Sequence, residues 1–195
     1  MSARVEESLL SRLYQDLYSG HNVFLTGGSI QQRAQLLQQL LDPNIHKRFL
    51  PEPEQFLWVY IDCARLPANT SLTLFWKSAL HPTLEQQNLP RSLKPFLQAT
   101  LNSSFLDLFD LETYFLKLSD EQRVQVLLVD NLEMLLKWPK ETISSTLSSL
   151  RSFSSRAGLR AIISSSKGIE TLNQQTALLN QYGSPFFNIY LERRL

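Results

Sequence analysis

Cysteine is nearly missing from this sequence. Cys63 stands alone, so no disulfide can form within the chain, which agrees with a reducing, cytoplasmic setting. Neither charge sign is in excess. Nineteen Lys and Arg against 18 Asp and Glu give a formal net charge of +1, so no overall basic field draws the chain to nucleic acid, leaving only a local patch or contact through a complex. No run approaches the roughly 18 unbroken apolar residues of a membrane span, and the opening "MSARVEE" has no apolar signal core. His21, His46 and His81 are scattered without metal-ligand spacing. There is no internal repeat, and no low-complexity tract beyond the serines of 144–155. What is present, 195 residues with 43% hydrophobic and 19% charged side chains, suits one soluble globular domain over 1–195 with a sizeable core.

Periodicity predicts the order of elements. A helix over 5–18 places Leu9, Leu10, Leu13, Tyr14 and Leu17 at helical spacing and ends at Ser19-Gly20. A buried strand over 22–25 follows, then a helix over 31–41 that Pro43 closes. "FLWVYI" at 56–61 is a continuous apolar run, the mark of a strand buried on both faces. Helices are predicted over 72–80 and 105–118, with a looser connection marked by Pro82 and Pro90 between them. "VQVLLV" at 124–129 is the third strand, and 132–138 and 143–157 read as helical. Gly158 precedes a fourth strand over 159–163, 169–182 is mostly helical, and "FFNIYL" at 186–191 is the fifth strand. Strands alternating with helices predict an α/β domain with a mainly parallel five-stranded sheet between helical layers. Ligands of such sheets sit at the carboxyl ends of the strands. Those ends carry Thr26-Gly27-Gly28, Asp62, Asp130-Asn131 and Ser164-Ser165.

"NVFLTGGSIQQRAQLL" has the layout of a phosphate-binding loop: strand, Thr-Gly-Gly, then a leucine-striped helix. The working pattern is G-x-x-x-x-G-K-[ST], in which backbone N–H groups wrap the phosphates, the Lys neutralises their oxygens and the hydroxyl holds Mg²⁺. Aligned on Gly27, this chain offers Gln32, Arg33 and Ala34. Gln32 puts a side chain where the backbone should approach the phosphate. Arg33 keeps the charge on a planar fork in place of a compact ammonium. Ala34 has no oxygen for a metal. The helix N-terminus remains, with free N–H groups that attract an anion. Read without the rest of the chain, "TGGS" is an ordinary strand-to-helix turn.

The order of the remaining motifs gives the loop its context. "VQVLLVDNLEMLL" resembles a Walker B strand, with Asp130 at the strand end, then Asn131 and Glu133; the plainer reading makes Asp130 the N-cap of the next helix. "LRAIISSSKGI" puts Ser164 and Ser165 at the next strand end, where a γ-phosphate sensor or a simple hydroxyl turn would stand. Together with "NVFLTGG", "WVYIDCARL" and "SPFFNIYLERRL", these motifs resemble the P-loop core of STAND NTPases, a branch near AAA+ ATPases that works in bacterial signalling and defence. The resemblance covers nearly the whole chain. It implies ATP or ADP bound through Gly27, Gly28, Gln32, Arg33, Ala34, Asp130, Asn131, Ser164 and Ser165, with Asp130 and Glu133 in the Walker-B-like role and no cofactor required. The departures are the missing glycine, lysine and hydroxyl of the loop, Ser166 where the family often has a sensor arginine, with Lys167 one position late, and a chain that stops after the fifth strand. No helical lid or winged helix is therefore expected.

These departures lead to the expectation of a pseudo-ATPase: a catalytically inactive or weakly nucleotide-binding domain serving as an interaction scaffold or regulatory subunit, through a protein partner or self-association. The alternatives are an ATP-dependent switch in which Arg33 replaces the lysine, or a DNA-associated ATPase-like subunit. Among other residues, Cys63 reads as a buried small hydrophobe and Asp62 as a cap. Trp58, Phe75, Trp76 and Phe105 read as core, although the aromatic-rich 105–116 region is also a candidate partner face. Arg151, Arg156 and Arg160 read as helix-end cations or a residue acting across a subunit interface, and Arg193-Arg194 as a solvated end.

Overall fold

The computed structural model describes residues 3–156, 158–179 and 184–195. All five strands are parallel, in the order β2-β3-β4-β1-β5, where β1 is Asn22–Thr26, β2 Phe56–Asp62, β3 Val124–Asp130, β4 Leu159–Ser164 and β5 Tyr190–Arg194. Eight α-helices are described: α1 Ala3–Tyr18, α2 Ile30–Gln39, α3 Pro43–Phe49, α4 Leu72–Leu80, α5 Lys94–Asn102, α6 Leu108–Asp120, α7 Lys140–Ser154 and α8 Ile169–Thr176. Strands β1 to β4 share their residues between two cores by alternation. Val23, Leu25, Trp58, Val126, Leu128 and Ile162 pack with Leu13, Leu17 and Leu37 of α1 and α2. Phe24, Val59, Leu127 and Ile163 face the other way, onto Trp76, Leu111, Phe115, Leu147 and Phe153 of α4, α6 and α7. The result is the expected three-layer arrangement, with β1, β3 and β4 covered on both faces. Gly158 is required just before β4: its φ is +91°, and a Cβ there would lie 1.9 Å from the Phe115 carbonyl oxygen.

Four expectations are corrected. Pro43 opens a helix and does not close one: Asp42 caps α3, accepting from the Asn44 N–H at 2.8 Å, and proline's missing N–H costs nothing in a first turn. The same tolerance places Pro95 in the first turn of α5, a helix hidden within the stretch read as a loose connection. The helix expected from Phe105 begins at Leu108, because Asp107 caps it by accepting from the Phe109 N–H at 2.9 Å; Phe105 is 74% exposed and is not core. The fifth strand begins at Tyr190, not 186. Phe186 and Phe187 bury their rings from a turn, and β5 carries its pairing on through Glu192 and Arg194, as a half-exposed edge strand allows. Two smaller shifts follow the same logic of local hydrogen bonding. Leu132–Lys137 is a 3₁₀ turn, and the helix expected over 143–157 is α7, which begins at Lys140; Ala157 lies outside the described residues. Beyond α8, Ala177–Leu179 is 3₁₀, and the rest of the helix expected to 182 lies outside the described residues.

Candidate functional site

Register brings the strand ends into one row. Asp62 pairs with Asp130, Leu25 with Ser164, and Thr26 with Arg194. Across the sheet the carboxyl edge therefore reads Asp62, Asp130, Ser164, Thr26, Arg194. The residues singled out on β2, β3, β4 and β1 do converge here.

The loop after β1 is built for a tight reversal. Gly27 and Gly28 have φ of +76° and +58°, a left-handed pair that side chains resist. Ser29 then caps α2 in a reciprocal box: its hydroxyl accepts from the Gln32 N–H at 3.2 Å, and the Gln32 side chain accepts from the Ser29 N–H at 2.8 Å. Gln32 therefore closes the helix start and is not turned toward a ligand. Arg33 is only 1% exposed. Its Nη1 donates to the Gly27 and Gly28 carbonyl oxygens at 3.0 and 3.1 Å, while Nε and Nη2 are buried without a partner among the described residues. The cation at the Walker lysine position thus binds the loop from inside. On the other side Arg194 and Leu195 press on the glycines: a Cβ at Gly27 would lie 2.9 Å from Arg194 Cγ, and one at Gly28 would lie 3.2 Å from the Leu195 side chain.

The end of β3 is saturated in a different way. Asp130 is 1% exposed. It accepts from the Tyr60 hydroxyl at 3.0 Å, from the Asn131 N–H at 2.9 Å and from the Ser164 hydroxyl. Burial, followed by the charge of Asp130, pushes the Tyr60 phenol up, so it stays protonated and remains a donor. Asp130 is not a helix cap; Asn131 occupies that position in a left-handed conformation, with φ 53°. Its side chain donates to Asp62 at 2.9 Å, and Asp62 also caps the following turn through the Ala64 N–H at 2.9 Å and meets Arg65 at 3.3 Å. Glu133 accepts from the Ser166 N–H at 3.1 Å and from the Ser166 hydroxyl. Burial pushes its carboxyl up, but the hydrogen bonds it receives from the Ser166 hydroxyl, its own backbone, the Ser165 hydroxyl and the Ser166 N–H together outweigh that and hold it below its ordinary value. Ser165 accepts from the Lys167 N–H at 3.0 Å, the plainer hydroxyl turn. Cys63 is buried, and burial, then the charge of Asp62, pushes its thiol well up, so it is no nucleophile.

These residues do not fit a magnesium nucleotide. Ala34 offers no oxygen, Arg33 faces the loop carbonyls, and the Asp130 carboxylate holds three donors. Among the described residues no cluster of His, Cys, Asp and Glu suits a metal, and no helix is long and apolar enough to cross a membrane. A cleft of about 560 Å³ does open beside the loop, lined by Thr26, Gly27, Ser166, Gly168, Glu192 and Arg194. Of these, Gly168 and Glu192 were not singled out in the sequence. Thr26 donates to Glu192 at 3.3 Å, and Arg193, far from being a free solvated end, grips Asp16 with two bonds of 2.9 Å. Tyr60 was also missed; its only signal is its place two residues before Asp62 on a strand. Of the arginines near α7, Arg156 pairs with the Glu112 carboxylate, Arg151 donates to the Ser184 carbonyl, and Arg160 donates to the Arg156 and Leu159 carbonyls, so each is engaged within the chain.

No protein-family model matches the chain, and no curated protein matches it. Solved structures do. A Walker-type ATPase of Pyrococcus abyssi is 17% identical, with a TM-score of 0.62 over 95% of this chain and 51% of that one. The Aeropyrum pernix ORC2 protein, solved with ADPNP and ADP, is 13% identical, with a TM-score of 0.64 over 100% of this chain and 48% of that one. The Aeropyrum pernix ORC1 protein in complex with DNA is 13% identical, with a TM-score of 0.56 over 96% of this chain and 44% of that one. The chain spans about half the length of these structures or a little less. At such identities the likeness carries the fold alone: the chain has the α/β fold that these structures share.

Proposed function

We propose that this chain is a P-loop ATPase-like domain that keeps the fold without the hydrolysis and acts as a scaffold or regulatory subunit in a protein assembly. The observation that carries the reading is Arg33. At the Walker lysine position the cation is buried and bound to the Gly27 and Gly28 carbonyls, so the charge that would meet a phosphate is turned into the protein. Ala34 supports it from the metal side, and the closed hydrogen-bonding of Asp130 from the Walker B side. A signalling or defence role of the STAND kind is one form this scaffold takes. A role beside nucleic acid is the alternative, favoured by the DNA complex among the structural neighbours; with a net charge of +1, it would run through other subunits more than through this chain.

Phosphate release from ATP tests the proposal. The purified chain should release none above a protein-free blank, with or without Mg²⁺, and Asp130→Asn should behave the same. Turnover that Asp130→Asn abolishes would overturn the reading.

A further inference from the structure

Helix α6 and the residues before it display apolar side chains that the fold leaves uncovered. Phe105 and Phe109 are 74% and 71% exposed, and Leu116 is 47% exposed. Phe109 and Leu116 are two turns apart and share one face of α6 with Glu112 and Thr113. Beside that face runs a groove of about 350 Å³ between α6 and α7, with Phe109 and Glu112 on one wall and Ser145, Ser148 and Ser152 on the other. Serine side chains are short, so another helix can come close there. The two ends of α6 differ in charge: Asp107 and Asp110 stand at its start and Lys117 in its last turn. Asp110 and Lys117 make no ion pair among the described residues; Lys117 lies 4.8 Å from the Phe96 ring centroid.

We propose that this face is where a second copy of the chain docks, with the two α6 helices antiparallel. The argument is self-complementarity. A projecting apolar side chain, a groove to receive one, an acidic end and a basic end all lie on or beside the same helix. A twofold axis near Glu112 and Thr113 sets Leu116 of each copy over the Phe109-lined groove of the other and brings Asp110 of each toward Lys117 of the other. A parallel pairing would set like charges together. None of the groove residues belongs to the row of strand ends, so this inference stands whether or not the loop binds nucleotide.

Sedimentation equilibrium over a wide range of protein concentration tests it. The wild-type chain should pass from monomer to dimer as concentration rises, and Phe109→Glu should stay monomeric throughout. At concentrations low enough that both are monomeric, the two should give the same circular dichroism and thermal unfolding, since Phe109 is exposed. Asp110→Lys and Lys117→Glu should each weaken the dimer by at least about tenfold, and the double variant should regain much of that loss. A wild-type chain that is monomeric at the highest concentration, as it would be if the face served a different protein, would overturn the proposal. So would a dimer that Phe109→Glu leaves intact. Failure of the double variant to recover would overturn the antiparallel pairing.

Discussion

The loop after β1 and the end of β3 lie on the same edge of the sheet, one strand apart, and they depart from a nucleotide site in opposite ways. Residues 27–34 have lost the motif, yet keep a sharp turn with a left-handed glycine pair leading into a capped helix. Residues 130–133 keep the motif, with its strand-end acid and nearby glutamate, yet Asp130 and the Oε1 of Glu133 accept from donors of their own chain. The pairing is also unequal. Asp130 is buried with three donors, whereas Arg33 is buried with two of its nitrogens unpartnered among the described residues. A chain path such as this glycine turn is held by backbone conformation and packing, whatever side chains follow it. A side-chain motif can remain in the sequence after its atoms have taken new partners.

That contrast predicts a graded set of effects. Asp130→Ala should cost most, on the order of 3 kcal/mol in denaturant unfolding, because it leaves the Tyr60, Ser164 and Asn131 donors buried without an acceptor. A loss below about 1 kcal/mol would mean that water reaches the β3 end. Gly27→Ala comes next, at about 1–2 kcal/mol, since it forces a side chain into φ +76° against Arg194 Cγ; an unchanged midpoint would show that Arg194 moves aside freely. Arg33→Met should change stability by less than about 1 kcal/mol, because a half-paired buried cation gives up little when an apolar chain of similar reach replaces it. If it cost as much as Asp130→Ala, the two halves of the edge would be equally dependent on their charges and the contrast would fail.

The smallest effect is in titration. Burial alone would raise the Glu133 carboxyl, but it sits below its ordinary 4.5 because hydrogen bonds from Ser166, Ser165 and its own backbone together outweigh burial, the Ser166 hydroxyl contributing most among them. A depressed carboxyl contributes stability that is present above the ordinary value and is lost as pH falls through the lower folded one. Ser166→Ala should therefore move the Glu133 titration upward, followed by carboxyl carbon chemical shifts. A curve that does not move would remove Ser166 as the cause.

Much of this edge was legible in the sequence, and the reasons differ by residue. Strand β2 announced itself as an unbroken apolar run, and β1, β3 and β4 as largely apolar ones interrupted at most by Gln125 and Arg160, because both of their faces are buried; their polar last residues gave the row of ends. β5 was misplaced because Phe186 and Phe187 mimic a strand while burying from a turn, and an edge strand such as "YLERR" carries no apolar run. Helix α5 was hidden by Pro95, which reads as a breaker yet is harmless in a first turn. The loss of the metal hydroxyl at Ala34 was plain from residue type alone. The inward turn of Arg33 was not, since a motif position states which residue is present and not where its guanidinium goes. Tyr60 was invisible for a related reason: its role depends on a neighbouring strand seventy positions away.

Calorimetric titration with ATP, with and without Mg²⁺, is the most direct test of the central claim that this edge no longer works as a magnesium-nucleotide site. The account predicts either no heat of binding or a weak binding that Mg²⁺ leaves unchanged, because Ala34 supplies no ligand and Asp130 is already engaged. Tight binding that appears only when Mg²⁺ is present would contradict it, since the metal would then have found the oxygens that the strand ends keep for themselves.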